Sequence, residues 1–215
     1  MNKKEMSPKV IALYQAIVGL FEEGADMSVV TVSEIAVRAG IGKGTVYEYF
    51  SNKEEMIAGA LYYSMEELCN NLREKIWQKD TLYDKMMQIL LIMEEQMKAT
   101  NSFLHLLHMK ESSSEIGRRM KEIVEEHKEE KNFITDVFHE MIEAEIAPGL
   151  RGDTDGITYL TLTVFSRVLC YIMYISDCTG KPGMNPSVIK ELICQGICDD
   201  VNSYKEKKRW ESVIS

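Results

Sequence analysis

Along this chain apolar residues recur at intervals of three and four, the spacing that gathers side chains onto one face of an α-helix. Val10, Leu13, Tyr14, Ile17 and Phe21 form the first such stripe, introduced by the helix-start pair Ser7-Pro8 and closed by Gly24. Thr31 and Glu34 have the T-x-x-E spacing of a capping box, in which the hydroxyl accepts an orphan backbone N–H and the carboxylate reaches back to the cap. A second helix is therefore predicted from Val32, ending after about two turns where Gly40 permits a tight exit. Ile41 and Gly42 make the turn, and a third helix is predicted from Lys43 to Phe50. Ser51 or Asn52 then caps a fourth, whose stripe of Ile57, Leu61, Met65, Leu68, Leu72 and Ile76 carries it to Lys79.

Beyond the fourth helix the pattern predicts helices over 81–99, 102–110, 114–146, 154–176 and 186–204, separated by Gly-, Pro- and Ser-containing breaks. The charge run EEHKEEK, Glu125 to Lys131, reads as a solvated helix face or a local break. No stretch alternates with the two-residue period of a strand, so the fold class is all-α. Its parts are an N-terminal three-helix helix-turn-helix head over 1–55 and, joined through the long fourth helix, a helical body over 56–215.

The segment Ile157 to Ser176 is apolar almost all round and long enough to span a bilayer, but Arg167 lies at its middle and no cationic flank follows. An arginine at a bilayer centre costs at least ~2.5 kcal/mol, so this helix is expected between its own core and a second subunit rather than in a membrane. In the last helix Val188, Leu192, Ile193 and Ile197 form a stripe, and Gly196 allows a neighbouring backbone to come close. A homodimer through the last two helices follows as the expectation.

Charge narrows the partners. With 34 acidic against 25 basic residues the chain carries −9, which excludes a nonspecific nucleic-acid coat held by displaced counterions. Residues 1–55 hold six cations and eight acids, yet between Arg38 and Lys53 three cations face only Glu48. Attraction to DNA must then come from that patch and from uncharged donors, and it should be modest and salt-sensitive. Five cysteines, an odd number with no C-x-x-C pair, fit a reducing cytoplasm. The basic start before an apolar stretch superficially suggests a signal peptide, but Tyr14 and Gln15 interrupt it and no A-x-A site follows.

Two short helices joined by a glycine-containing turn, the second amphipathic and followed by a capped third, form a helix-turn-helix whose second helix can enter a major groove. The run from Thr31 to Met56 resembles the DNA-binding signature of the TetR (tetracycline-repressor) family. Thr31, Ile35, Ala36, Ala39, Gly40, Ile41, Lys43, Gly44, Thr45, Val46, Tyr47, Tyr49, Phe50, Lys53, Glu54 and Glu55 match it. The likeness runs from Ser7 to Leu61 and is only architectural beyond. The resemblance implies a DNA-facing set of Lys43, Gly44, Thr45, Tyr47 and Tyr49, with Thr45 at a base edge or thymine methyl and Tyr47 and Lys53 on phosphates. Thr31 and Ser33 lie near a helix N-terminus that favours an anion, while Ile35, Ala36, Val46 and Phe50 belong to the head's core. Gly42 stands where the family often has a capping serine, which removes one hydroxyl contact.

The resemblance further implies a double-stranded operator, a homodimer with recognition helices about 34 Å apart, and release of DNA when a small-molecule effector favours another spacing. Met86, Met87, Leu90, Met93, Phe103, Leu107, Met141 and Phe165 are the candidate ligand-binding residues, although methionine and aromatic stripes at helical spacing more often form core. No cofactor or metal is expected. His105 with His108 and Cys194 with Cys198 read as ordinary surface or core pairs, and Glu94 and Glu95 as exposed residues or companions of a cationic ligand. Two other classes compete with this reading: an effector-free DNA organiser, and a di-metal helical enzyme, for which Asp136-x-x-His139 is an imperfect match to the required Glu-x-x-His pairs.

Overall fold

The computed structural model describes residues 6–99, 115–128, 133–146, 154–177 and 185–214. Among these, nine helices and no strands form: α1 Pro8–Glu22, α2 Val32–Arg38, α3 Lys43–Tyr49, α4 Lys53–Ile76, α5 Leu82–Ala99, α6 Glu115–Glu126, α7 Ile134–Glu145, α8 Thr154–Asp177 and α9 Pro186–Ile214. The all-helical reading of the sequence holds.

Local chemistry sets most of the boundaries. Ser7 Oγ accepts from Lys9 N with Pro8 at the first helical position, and Gly24 leaves α1 at φ +74°. At α2 both halves of the capping box form: Glu34 N donates to Thr31 Oγ1 at 3.2 Å and Thr31 N to Glu34 Oε2 at 2.7 Å. Asn52, not Ser51, caps α4, its Oδ1 accepting from Glu55 N at 2.7 Å. Thr81 Oγ1 opens α5 in the same way, accepting from Asp84 N at 3.1 Å.

Three expectations change. The helix predicted over 114–146 is two helices. His127 Nδ1 lies 2.8 Å from Ile123 O at the end of α6, and Asp136 Oδ2 accepts from Phe133 N at 2.9 Å to start α7. The fourth helix stops at Ile76 rather than Lys79, and the last continues past Tyr204 to Ile214 because Lys205 to Arg209 are all good helix formers. The predicted helix over 102–110 lies outside the described residues.

The chain forms two compact units. One, made of Met1–Leu68 and Gln96–Asn132, buries Leu13, Ile17, Ile35, Val46, Met56 and Ile57 in a shared core. Ile116 and Met120 of α6 pack against that same core. Tyr14, Phe50 and Tyr63 meet there with ring centroids 5.7 Å apart in each pair made by Tyr14. The Tyr14 phenol lies directly over Gly59 of α4, and burial pushes its pKa up to about 12.

The other unit comprises Cys69–Glu95 and Phe133–Ser215. Here α8 packs between α7 and α9. Arg73 joins α4 to α7 through Glu140 at 2.9 Å, and Lys85 joins α5 to α7 through Glu145 at 2.7 Å. Arg167, the charge within the apolar helix, pairs with Asp200 of α9 at 2.8 Å. Gly196 makes room for that guanidinium: a Cβ there would lie 2.8 Å from Arg167 Nη1, so the glycine accommodates a side chain of its own subunit. The stripe predicted on α9 divides, with Ile197 buried and Val188 and Leu192 exposed. On α8, Tyr159, Leu162 and Met173 also face out.

Gly59→Ala should lower unfolding stability by ~1–3 kcal/mol through forced overpacking against Tyr14. Urea denaturation of the variant beside wild type measures it, and Gly44→Ala, where a Cβ meets open space, is the matched control with a helix-propensity gain instead.

Candidate nucleic-acid interface

The helix-turn-helix is held from behind. Val46 of α3 and Phe50, the residue that caps its end, are buried in one core with Ile35 and Ala36 of α2, so the seven-residue α3 is fixed by its apolar side. Between the two helices Gly40 takes φ +68°, a left-handed conformation that only glycine adopts without strain, and Ile41 N donates to Ala36 O at 2.9 Å to close the turn. Gly42 occupies the cap position of α3 in extended conformation with no side-chain hydrogen bond, as its lack of a hydroxyl requires.

The outward side of α3 carries Lys43, Gly44 and Tyr47, all exposed, with Tyr47 at 53%. Nothing lies within 4 Å of a Cβ built on Gly44, so a backbone or phosphate can come close there. Thr45 is half-buried and its N–H is taken by Gly42 O at 3.0 Å. Tyr49 is exposed, and its Oη accepts from Ser7 Oγ at 3.3 Å, tying the end of α3 to the start of α1. Thr31 is exposed with its hydroxyl engaged by Glu34; the hydrogen bond from its backbone N–H, and then that from its hydroxyl, hold the Glu34 carboxyl below its ordinary range. Ser33 stands half-buried one residue before Glu34.

Lys53 departs from the phosphate role that the resemblance implies. Its ammonium donates to the carbonyls of Met27, Ser28 and Val30 at 3.0, 3.1 and 3.0 Å, which uses all three donors. It is a tether from α4 to the loop that leads into α2. Arg38, a second cation of the local patch, is held in a two-pronged pair with Glu23 at 2.6 and 2.5 Å, which also lowers the Glu23 pKa. Of the three cations, Lys43 alone is left without a partner among the described residues. Neither engagement was legible in the sequence, because each joins positions 15 or more residues apart and the acceptors of Lys53 are backbone carbonyls that any sequence supplies.

In the second unit Met86, Leu90, Met93 and Met141 are fully buried and Met87 and Phe165 half-buried; Phe103, Leu107, His105 and His108 lie outside the described residues. Burial pushes the Cys194 thiol up to about 12 and the neighbouring Cys198 thiol upward as well, away from the reactive thiolate. Asp136, half of the imperfect metal pair, is spent on capping α7. Glu94 accepts from Lys190 at 2.6 Å, so its half-buried carboxylate is paired within the chain.

Residues 13–60 match the family model described as bacterial regulatory proteins, tetR family. The chain is 26% identical over 151 residues to the fatty acid metabolism regulator protein of Bacillus subtilis, covering 68% of this chain and 75% of that one. Its fold is similar to that of FadR from Bacillus subtilis, solved with stearoyl-CoA, at a TM-score of 0.60 and 16% identity over 87% of this chain and 96% of the other. It is similar also to a TetR/AcrR-family regulator from Thermobifida fusca, at a TM-score of 0.55 and 18% identity over 92% and 99%. Residues 13–60 thus form a helix-turn-helix domain of the kind the tetR family model describes, with the exposed side of α3 turned outward, and the helical body that follows has the fold of these solved regulators.

Proposed function

We propose that this chain is a transcriptional regulator of the TetR family, a cytoplasmic, non-enzymatic repressor that binds a palindromic operator as a homodimer and is released by a long-chain fatty acyl effector. In this reading residues 1–55 bind DNA and 56–215 bind the ligand and the second subunit. The observation that carries the DNA role is the outward face of α3, where Lys43, Gly44 and Tyr47 are exposed while Val46 and Phe50 hold the helix to the core. Lys43 and Tyr47 meet phosphates, Gly44 admits the backbone, and Thr45 meets a base edge. Thr31 and Ser33 approach the sugar-phosphate chain from the start of α2, and Tyr49 approaches from the end of α3.

Apolar residues left exposed on the last two helices, Tyr159, Leu162 and Met173 of α8 with Val188 and Leu192 of α9, support the two-fold seam. The acyl effector is supported by the relatives, one a fatty acid metabolism regulator and one solved with stearoyl-CoA. Met86, Met87, Leu90, Met93, Met141 and Phe165, with Phe103 and Leu107, are the side chains proposed to surround its tail, since methionine adapts to irregular apolar shapes.

Selection of bound duplexes from random DNA, followed by titration with stearoyl-CoA, tests both halves. Stearoyl-CoA should weaken operator binding 5- to 150-fold, the range of a coupling of about 1–3 kcal/mol; operator binding indifferent to every acyl probe would favour the effector-free organiser.

Lys43→Ala should weaken all duplexes alike and reduce the slope of log affinity against log salt by ~1. Thr45→Ala should instead change preference at particular bases by ~1–3 kcal/mol. Lys53→Met should both lower unfolding stability, by ~1.5–3 kcal/mol for its charged hydrogen bonds, and weaken DNA binding. Unchanged stability in that variant would return Lys53 to a phosphate role.

A further inference from the structure

Two lysines of the second unit are withdrawn almost entirely from water, and they are satisfied differently. Lys85, 7% exposed, donates to Glu145 at 2.7 Å and sets its Nζ 5.1 Å from the centroid of the Trp77 ring, so a carboxylate and an aromatic face both answer its charge. Lys190, 9% exposed in the first turns of α9, donates to Glu94 Oε2 at 2.6 Å and to nothing else among the described residues. An ammonium has three N–H donors, so two of them find no acceptor there. The same Glu94 oxygen accepts from Tyr171 Oη of α8 at 3.1 Å, which fixes the carboxylate from a second side.

Withdrawing an ion pair from water gains little over apolar packing, and unanswered donors make it worse. A closed structural pair would resemble Lys85. Lys190 is instead a charge with capacity to spare, and the helices that carry its two polar neighbours, Glu94 and Tyr171, also carry buried apolar side chains. Glu94 follows Met93 and lies one helical turn beyond Leu90 on α5, while Tyr171 is flanked on α8 by Val168 and Ile172, all of them fully buried or nearly so.

We infer that Lys190 is the polar anchor of the effector site: its two spare N–H donors take an acyl oxygen at the head of a long apolar chain, and Glu94 holds the ammonium ready while competing for it. This rests on the acyl effector proposed above. The acceptor oxygen belongs to a thioester carbonyl or to a free carboxylate, two sources of one chemistry. Because Glu94 is both holder and competitor, the two partners have opposite effects on ligand affinity, which a purely structural pair does not produce.

The test measures binding of stearoyl-CoA, stearate and coenzyme A alone to the full-length protein, together with release from the selected operator. Lys190→Met should weaken the acyl probe at least tenfold and Glu94→Gln should tighten it severalfold, with DNA affinity in the absence of ligand unchanged in both. Glu94→Leu/Lys190→Met removes both charges, so it keeps a folded reference should either single variant be unstable. It should bind operator as wild type does and still lose the acyl probe at least tenfold. The probe that suffers from Lys190→Met, stearate or stearoyl-CoA, identifies the oxygen, and either supports the anchor. Equal weakening by both single variants, or full acyl-driven release in the double variant, overturns it while leaving the acyl effector standing. A wild-type protein that binds none of the acyl probes removes the effector reading and the anchor with it.

Discussion

A seven-residue helix has no stability of its own in water, because nucleation costs more than so few hydrogen bonds return. The DNA-binding role proposed for this protein depends on holding such a helix, α3, from one side only. Val46 and Phe50 supply that hold by burial, Gly40 supplies the turn that aims the helix, and Tyr49 is tied at its far end to Ser7. The opposite side stays free of intramolecular work, and that freedom is what a reading surface requires. The Lys53 ammonium serves the same end from a distance, gathering three carbonyls of the loop ahead of α2 so that the helix pair has a firm support.

How much of this was legible in the sequence depended on how local the interaction is. The capping box of Thr31 and Glu34, the Ser7-Pro8 start and the glycine exits are set within four residues, and the structure has them where the pattern put them. The break between α6 and α7 was visible only as a charge run. What decides it is a His127 side chain that turns back on Ile123 O and an aspartate that caps the next helix. Charge was the least legible. A count of cations around the turn gave three, yet Arg38 is matched by Glu23 and Lys53 by the loop, and these partners come from distant positions. The patch therefore reduces to Lys43, in keeping with the negative total charge of the chain.

The second unit uses charge in another way. Arg73, Lys85, Arg167 and Lys190 each pair with a carboxylate on a different helix, so the polar contacts fix which helix meets which while apolar side chains fill the space between. Arg167 illustrates why composition misleads. A helix apolar enough by length and hydropathy to cross a membrane carries its one cation over Gly196, and the small residue exists to seat it. Gly196 is half-buried, and the space above it is taken by a side chain of the same subunit.

The row of outward apolar side chains on α8 has a bearing on dosage. If Tyr159, Leu162 and Met173 are covered only when two chains meet, the species competent for an operator scales with the square of the free chain concentration at low abundance. Halving the chain would then cut such a dimer to about a quarter, so in the dimeric reading proposed above the occupancy of an unsaturated operator would fall more steeply than the abundance of the chain.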